Sequence, residues 1–153
     1  MFLKRVDSII QNYLMKFRFL SVLSMRIILG TAFIIHGKSK FPLPPQKLME
    51  YFGFSPFFAS FIALSEVLAG LMLIISFFLK SFIGNLITRV SALTIVVIMI
   101  FAFYLAHKDW FINEKLFTSE QIFLFVVGIY FLVNGNEDFL SLIHISEPTR
   151  PRL

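Results

Sequence analysis

The sequence predicts an all-α integral membrane protein, a bundle of four membrane-spanning helices preceded by an N-terminal amphipathic helix at the interface. Three observations predict it. The chain is 58% hydrophobic and only 15% charged, whereas a soluble domain is about half apolar and a quarter charged. At 153 residues it is a single domain with much surface per volume, and it lacks the polar residues to coat that surface in water. Its apolar residues fall into four runs, the longer of which reach the roughly 20 residues that a crossing requires.

Residues 1–18 carry apolar side chains at Phe2, Leu3, Val6, Ile9, Ile10, Tyr13, Leu14 and Phe17. This spacing draws one stripe along a helix. Lys4, Arg5, Gln11, Asn12, Lys16 and Arg18 cover the other side, the pattern of a helix lying among lipid headgroups. The segment lacks the uninterrupted apolar core and the small-residue cleavage site of a signal peptide.

The first span runs from about Phe19 to Ile35 and ends at His36-Gly37-Lys38. Pro42, Pro44 and Pro45 then stop the helix. Gln46 to Phe52 forms a short surface helix, closed by Gly53 and Pro56. The second span runs from about Phe57 to Leu79, the third from about Ile83 to Ala106. Trp110 follows the third span and suits an interface. Thr118 and Gln121 read as a capping box opening the fourth and shortest span, which ends at Val133 with Gly135 as its cap. Residues 19–140 thus form the spanning domain. From Ser141 the helical period is lost, and residues 141–153 read as a disordered tail outside the fold, either native or a non-native sequence joined to a truncated end.

A formal charge of +5 and a pI near 9.7 fit a basic face against anionic headgroups. The basic residues form no aromatic-lined polar groove, so nucleic acid is not the expected partner. With the N-terminus cytoplasmic, the inside collects Lys4, Arg5, Lys16, Arg18, Arg26, Lys80 and Arg89, against Lys38, Lys40, Lys47, Lys108 and Lys115 outside. The basic bias favours that orientation, and four spans return the C-terminus to the cytoplasm. The chain has no cysteine, which excludes disulfides, thiol nucleophiles and Cys-held haem or iron–sulfur centres.

Glu66 is the residue most telling of chemistry. A carboxylate at mid-membrane costs about 2.5–3.5 kcal/mol on insertion scales, so it is expected to face the bundle interior, protonated or paired with a base. Arg26 on the first span and Arg89 on the third are the expected partners. The set reads either as a proton relay or ligand anchor, or as a structural ion pair that fixes helix register. Ala63, Glu66 and Gly70 share a helix face, and Gly30 and Gly70 are expected to serve close helix packing. His36 and His107 fall at the outer ends of the first and third spans, with Lys40 one turn beyond His36. They read as interfacial residues, or as ligands to a haem, a metal or a quinone head. No carboxylate completes a metal set, and none is expected.

The stretch Arg26-Ile-Ile-Leu-Gly30-Thr-Ala-Phe-Ile-Ile-His36-Gly37-Lys38-Ser39-Lys40-Phe41 resembles the first-span signature of the DoxX family of small membrane proteins. Glu66-Val-Leu-Ala-Gly70-Leu-Met-Leu is similar to that family's second-span motif, and Phe52-Gly53-Phe54-Ser55-Pro56 to the loop between them. Ala102 with His107 falls where the family's third span ends. Asn134-Gly135-Asn136 resembles the start of the terminal motif, but Glu137 and Asp138 follow where that motif has a second Gly. The resemblance implies a four-span bundle in the bacterial inner membrane and kinship with quinone-linked oxidation and oxidative-stress complexes. On that expectation the protein is an accessory subunit beside a partner oxidoreductase. Glu66 would handle a proton or a quinone, Arg26 and Arg89 would tune it, and His36, Lys40 and His107 would line the entrance. Two other classes stay open. One is a cofactor-free scaffold that recruits partner proteins. The other is a small-solute or proton carrier, which would have to form a homo-oligomer to enclose a path.

Overall fold

A computed structural model describes residues 2–79, 81–109 and 114–136. All regular structure among the described residues is helical: α1 (Phe2–Met15), α2 (Arg18–Lys38), α3 (Gln46–Phe52), α4 (Pro56–Ile75), α5 (Phe82–Ala106), α6 (Lys115–Thr118) and α7 (Glu120–Asn134). A 3-10 turn, Ser76–Phe78, prolongs α4. Among the described residues three helices are long and apolar enough to cross a membrane: Arg18–Lys38, Pro56–Phe78 and Phe82–Ala106. The fourth expected span, α7, has 15 residues, about 22 Å of helix. The tail 141–153 lies outside the described residues.

Local chemistry sets the boundaries. The first helix of the core runs three residues beyond its expected end, through His36-Gly37-Lys38, before the cis Phe41–Pro42 and Leu43–Pro44 bonds. α3 ends where Gly53 takes a left-handed backbone, φ 67°, which glycine adopts without a Cβ penalty. Ser55 caps α4 by accepting from Phe58 N, with Pro56 at the first helical position. Ser81 caps α5 by accepting from Gly84 N. The expected capping box is corrected: Thr118 closes α6, and Ser119 stands at the N-cap of α7 with no side-chain cap bond. Thr118 Oγ1 instead turns back onto the carbonyls of Glu114 and Lys115.

α2 packs along α4, α4 on α5, and α5 on α7, with a lighter contact between α2 and α7. The interior holds Leu29 and Phe33 of α2, Ala69 and Leu73 of α4, Ala92, Ile95, Met99 and Phe103 of α5, and Phe131 of α7. Outward residues are equally apolar: Ile28, Phe57, Phe61, Val90, Phe101, Phe123 and Val133 are all exposed. A helix bundle apolar inside and out is solvated by lipid.

Glycine sets the register of α2 on α4. A Cβ on Gly70 would run into the carbonyl oxygen of Gly30, and one on Gly30 would lie 2.8 Å from the carbonyl oxygen of Gly70. A Cβ on Gly37 would lie 2.9 Å from the carbonyl oxygen of Ala63. Backbone therefore meets backbone at two levels seven residues apart on both helices. This is the close approach that small residues permit in a membrane, where packing replaces the hydrophobic drive between helices.

Candidate functional site

Ionisable side chains enter the apolar interior at two separate levels. The first lies where α2 ends. Glu66 is 4% exposed on α4, beside the buried Ala63 and Ala69. The level is set by the Gly37–Ala63 contact, which brings the last turn of α2 against the middle of α4. Lys40, two residues past the end of α2, reaches back, and its Nζ donates to Glu66 Oε2 in an ion pair. The Lys40 side chain is 24% exposed and that of Glu66 5%, so the pair joins a buried anion to a cation at the rim. In a low-dielectric surround that pairing removes most of the cost of an isolated carboxylate.

Lys40 also lines a cavity of about 700 Å³ walled by the segment from Ser39 to Phe52. Phe41, Leu43 and Leu48 give it apolar surface, and Gln46, Lys47 and Tyr51 polar groups. α3 is held over the start of α4 by aromatic contacts: Phe52 stacks on Phe54 at 5.5 Å between centroids, and Phe54 meets Phe58 edge-on at 5.0 Å. An apolar cavity with a few polar groups is the usual form of a small-molecule site.

The second level is built on Arg26, 1% exposed. Its Nη1 donates to Leu73 O (3.0 Å), Ser76 Oγ (2.9 Å) and Thr88 Oγ1 (3.0 Å). Its Nη2 donates to Asn136 Oδ1 (2.6 Å) and, at 3.5 Å, to Gly135 O. The guanidinium also lies over the rings of Phe131 (4.7 Å) and Phe77 (5.7 Å). Leu73 lies in the last turn of α4 and Gly135 is the C-cap of α7, so both carbonyls belong to the negative ends of helix dipoles, where a cation is favoured. Around it Thr88 Oγ1 is 2.8 Å from Ser76 Oγ and 3.0 Å from Asn136 Oδ1, while Asn136 Nδ2 donates to Ser76 O. The network ties α2, α4, α5 and the end of α7 together at one level. One buried donor, Arg26 Nε, has no partner among the described residues.

The DoxX family model matches residues 21–108, more than half of the chain. The chain belongs to the DoxX family. No curated protein and no solved structure matches it. The family match spans α2 to α5 and so contains both Glu66 and Arg26, whereas Asn136 and α7 lie beyond it. Family membership together with the three apolar helices makes this a multi-pass membrane protein in contact with the bilayer.

In this DoxX-family chain the expected pairing of Glu66 with Arg26 or Arg89 is corrected. Glu66 pairs with Lys40, a residue expected only to line the entrance. Arg26 is level with Leu73, and Leu73 lies two helical turns from Glu66 on α4, roughly 10 Å along the axis. Arg89 is turned to α7, where its Nη1 donates to Leu132 O at 3.0 Å. His36 is exposed and His107 half-buried at the ends of α2 and α5. The described residues contain no group of three or more His, Asp or Glu able to hold a metal. Gly30 and Gly70 meet face to face, as packing residues. Ser76, Thr88 and Asn85, whose Oδ1 accepts from Asn136 N at 2.9 Å, were not singled out from sequence, and Asn136 was read only as part of the terminal motif. Hydroxyl and amide residues inside apolar runs opposite a buried Arg were the available signal.

Proposed function

We propose that this protein is an accessory subunit of a quinone-linked redox or oxidative-stress complex in the bacterial inner membrane, with a quinone-type ring as the ligand of the Lys40–Glu66 site. The observation that carries the reading is one side chain with two roles: Lys40 neutralises the buried Glu66 and lines the cavity of residues 39–52. A ring oxygen in that cavity would take a hydrogen bond from the ammonium, and Glu66, as the carboxylate, would receive the proton that a bound quinol releases when a partner oxidoreductase takes its electrons. His36 and His107 flank the same end of the bundle. In this reading the domain of residues 19–140 crosses four times, α7 included, with both termini cytoplasmic and α1 lying in the headgroup layer.

The test uses protein extracted gently into nanodiscs, with mass spectrometry of the bound lipids. A stoichiometric quinone is expected, lost in Glu66→Gln and in Lys40→Met while circular dichroism still reports a folded helical protein. Wild-type protein carrying bulk phospholipid alone would overturn the assignment. The Arg26 network supports a second reading, a rigid scaffold that presents its surfaces to partner subunits without a cofactor. It predicts co-purifying proteins that persist in Glu66→Gln and in Lys40→Met.

A further inference from the structure

α1 presents an apolar stripe that nothing among the described residues covers. Leu3, Ile9, Ile10, Tyr13 and Leu14 lie on it, from 51% exposed at Ile10 to 80% at Leu3. Among the described residues no other helix packs extensively against α1. Two residues separate its end at Met15 from the start of α2 at Arg18. The stripe is therefore tethered where the first spanning helix begins. A bilayer surface is always within its reach, at an effective concentration no free protein partner matches.

Charge narrows the occupant further. Residues 2–16 hold three basic side chains, Lys4, Arg5 and Lys16, against the single acid Asp7. All four are exposed. On a 3.6-residue period Arg5 borders the apolar stripe next to Ile9, whereas Lys4 falls across the helix from it. Lys16, one residue past α1, follows that same border in the turn closed by its N–H on Tyr13 O. With the stripe in the acyl boundary, Arg5 and Lys16 stand at phosphate depth and Lys4 points to water.

We propose that α1 is a charge-selective lipid anchor, whose apolar stripe enters the bilayer while Arg5 and Lys16 hold the phosphates of anionic phospholipids. The proposal rests on the interfacial reading of α1 given above and adds the chemistry of its partner. Near an anionic surface each bordering basic residue strengthens insertion about fivefold, an effect screened by salt.

The experiment uses the full chain with a fluorophore on the stripe. The native chain has one tryptophan, so Ile10→Trp in a Trp110→Phe background reports α1 alone. Nanodiscs are made with bromine-labelled acyl chains, either of phosphatidylcholine or of phosphatidylcholine with one-third phosphatidylglycerol. Quenching is expected to be stronger in the anionic discs and to fall toward the zwitterionic value at high salt. Arg5→Gln with Lys16→Gln should cut the anionic preference by roughly 25-fold, while Lys4→Gln should change it less than about twofold. Equal, salt-insensitive quenching in both discs would overturn charge selectivity and leave the interfacial position standing. No quenching in either disc would overturn both.

Discussion

Arg26 and Glu66 are both ionisable residues in apolar helices, and the protein accommodates them by different means. Glu66 has a counter-ion that reaches water. Arg26 meets no carboxylate among the described residues; five oxygens and two aromatic faces take its place. Interhelical hydrogen bonds in membranes average about 0.6 kcal/mol, so the four that the Nη hydrogens can make come close to offsetting an insertion cost of about 2.5–3.5 kcal/mol for an arginine. The net effect is small, and the value of the residue lies in joining four elements. Arg26→Ala removes the bonds, strips Phe77 and Phe131 of their packing partner and leaves a cavity. It is expected to lower stability by roughly 2–4 kcal/mol in thermal unfolding of detergent-solubilised protein. Arg26→Lys should recover only part of the loss, because an ammonium has three donors on one atom and cannot span Leu73 and Asn136 as the planar fork does. Full stability in Arg26→Lys would show that the charge alone matters and the fork does not.

Between elements, the decisive contact is the glycine seam of α2 and α4. A methyl at Gly70 meets the carbonyl of Gly30, a backbone atom that no rotamer change can move aside. Alanine is the better helix former by about 1 kcal/mol, but overpacking of this kind costs about 1–3 kcal/mol. Gly70→Ala is therefore expected to destabilise by up to about 2 kcal/mol in denaturant unfolding. Gly53→Asn is the control: a Cβ there meets nothing within 4 Å, and asparagine tolerates the left-handed backbone, so the change should stay within about 0.5 kcal/mol. The seam also explains what could be read in the sequence and what could not. Helix existence and most boundaries were legible, because apolar runs, prolines and Gly53 are local signals. Glu66 was legible as a buried acid for the same reason. Its partner was not, since partnership depends on how far α2 slides along α4. Gly30 and Gly37 are seven residues apart, as are Ala63 and Gly70. Matching those intervals antiparallel sets Gly30 against Gly70 and Gly37 against Ala63, which puts Glu66 level with the end of α2 and out of reach of Arg26. The capping box misled because Thr118 has a closer alternative in the carbonyls of its own turn.

For the molecule as a whole, the helices are unequal. Pro56–Phe78 and Phe82–Ala106 have 23 and 25 residues, roughly 35–38 Å of helix, while the 15 residues of α7 give about 22 Å against a hydrocarbon core near 30 Å. α7 is nonetheless bound at the Arg26 level through Gly135 and Asn136 and in the core through Phe131. Its C-terminal end therefore shares the level of the α2 N-terminal half. A helix that short crosses only if the bilayer thins beside it or polar groups at its ends draw in water. The absence of native cysteine makes this directly testable by single-cysteine labelling with a membrane-impermeant maleimide. With the N-terminus cytoplasmic, Glu50→Cys and Lys108→Cys should label in intact spheroplasts, and Ser8→Cys only after permeabilisation. Asn134→Cys, at the end of α7, should behave like Ser8→Cys if α7 crosses. Labelling of Ser8→Cys and Asn134→Cys from outside, with Glu50→Cys protected, would invert the orientation drawn from the basic residues. Labelling of Asn134→Cys together with Glu50→Cys, while Ser8→Cys stays protected, would remove the fourth crossing. The packing of Asn136 on Arg26 argues against that outcome, since it holds the end of α7 at the level where α4 also ends.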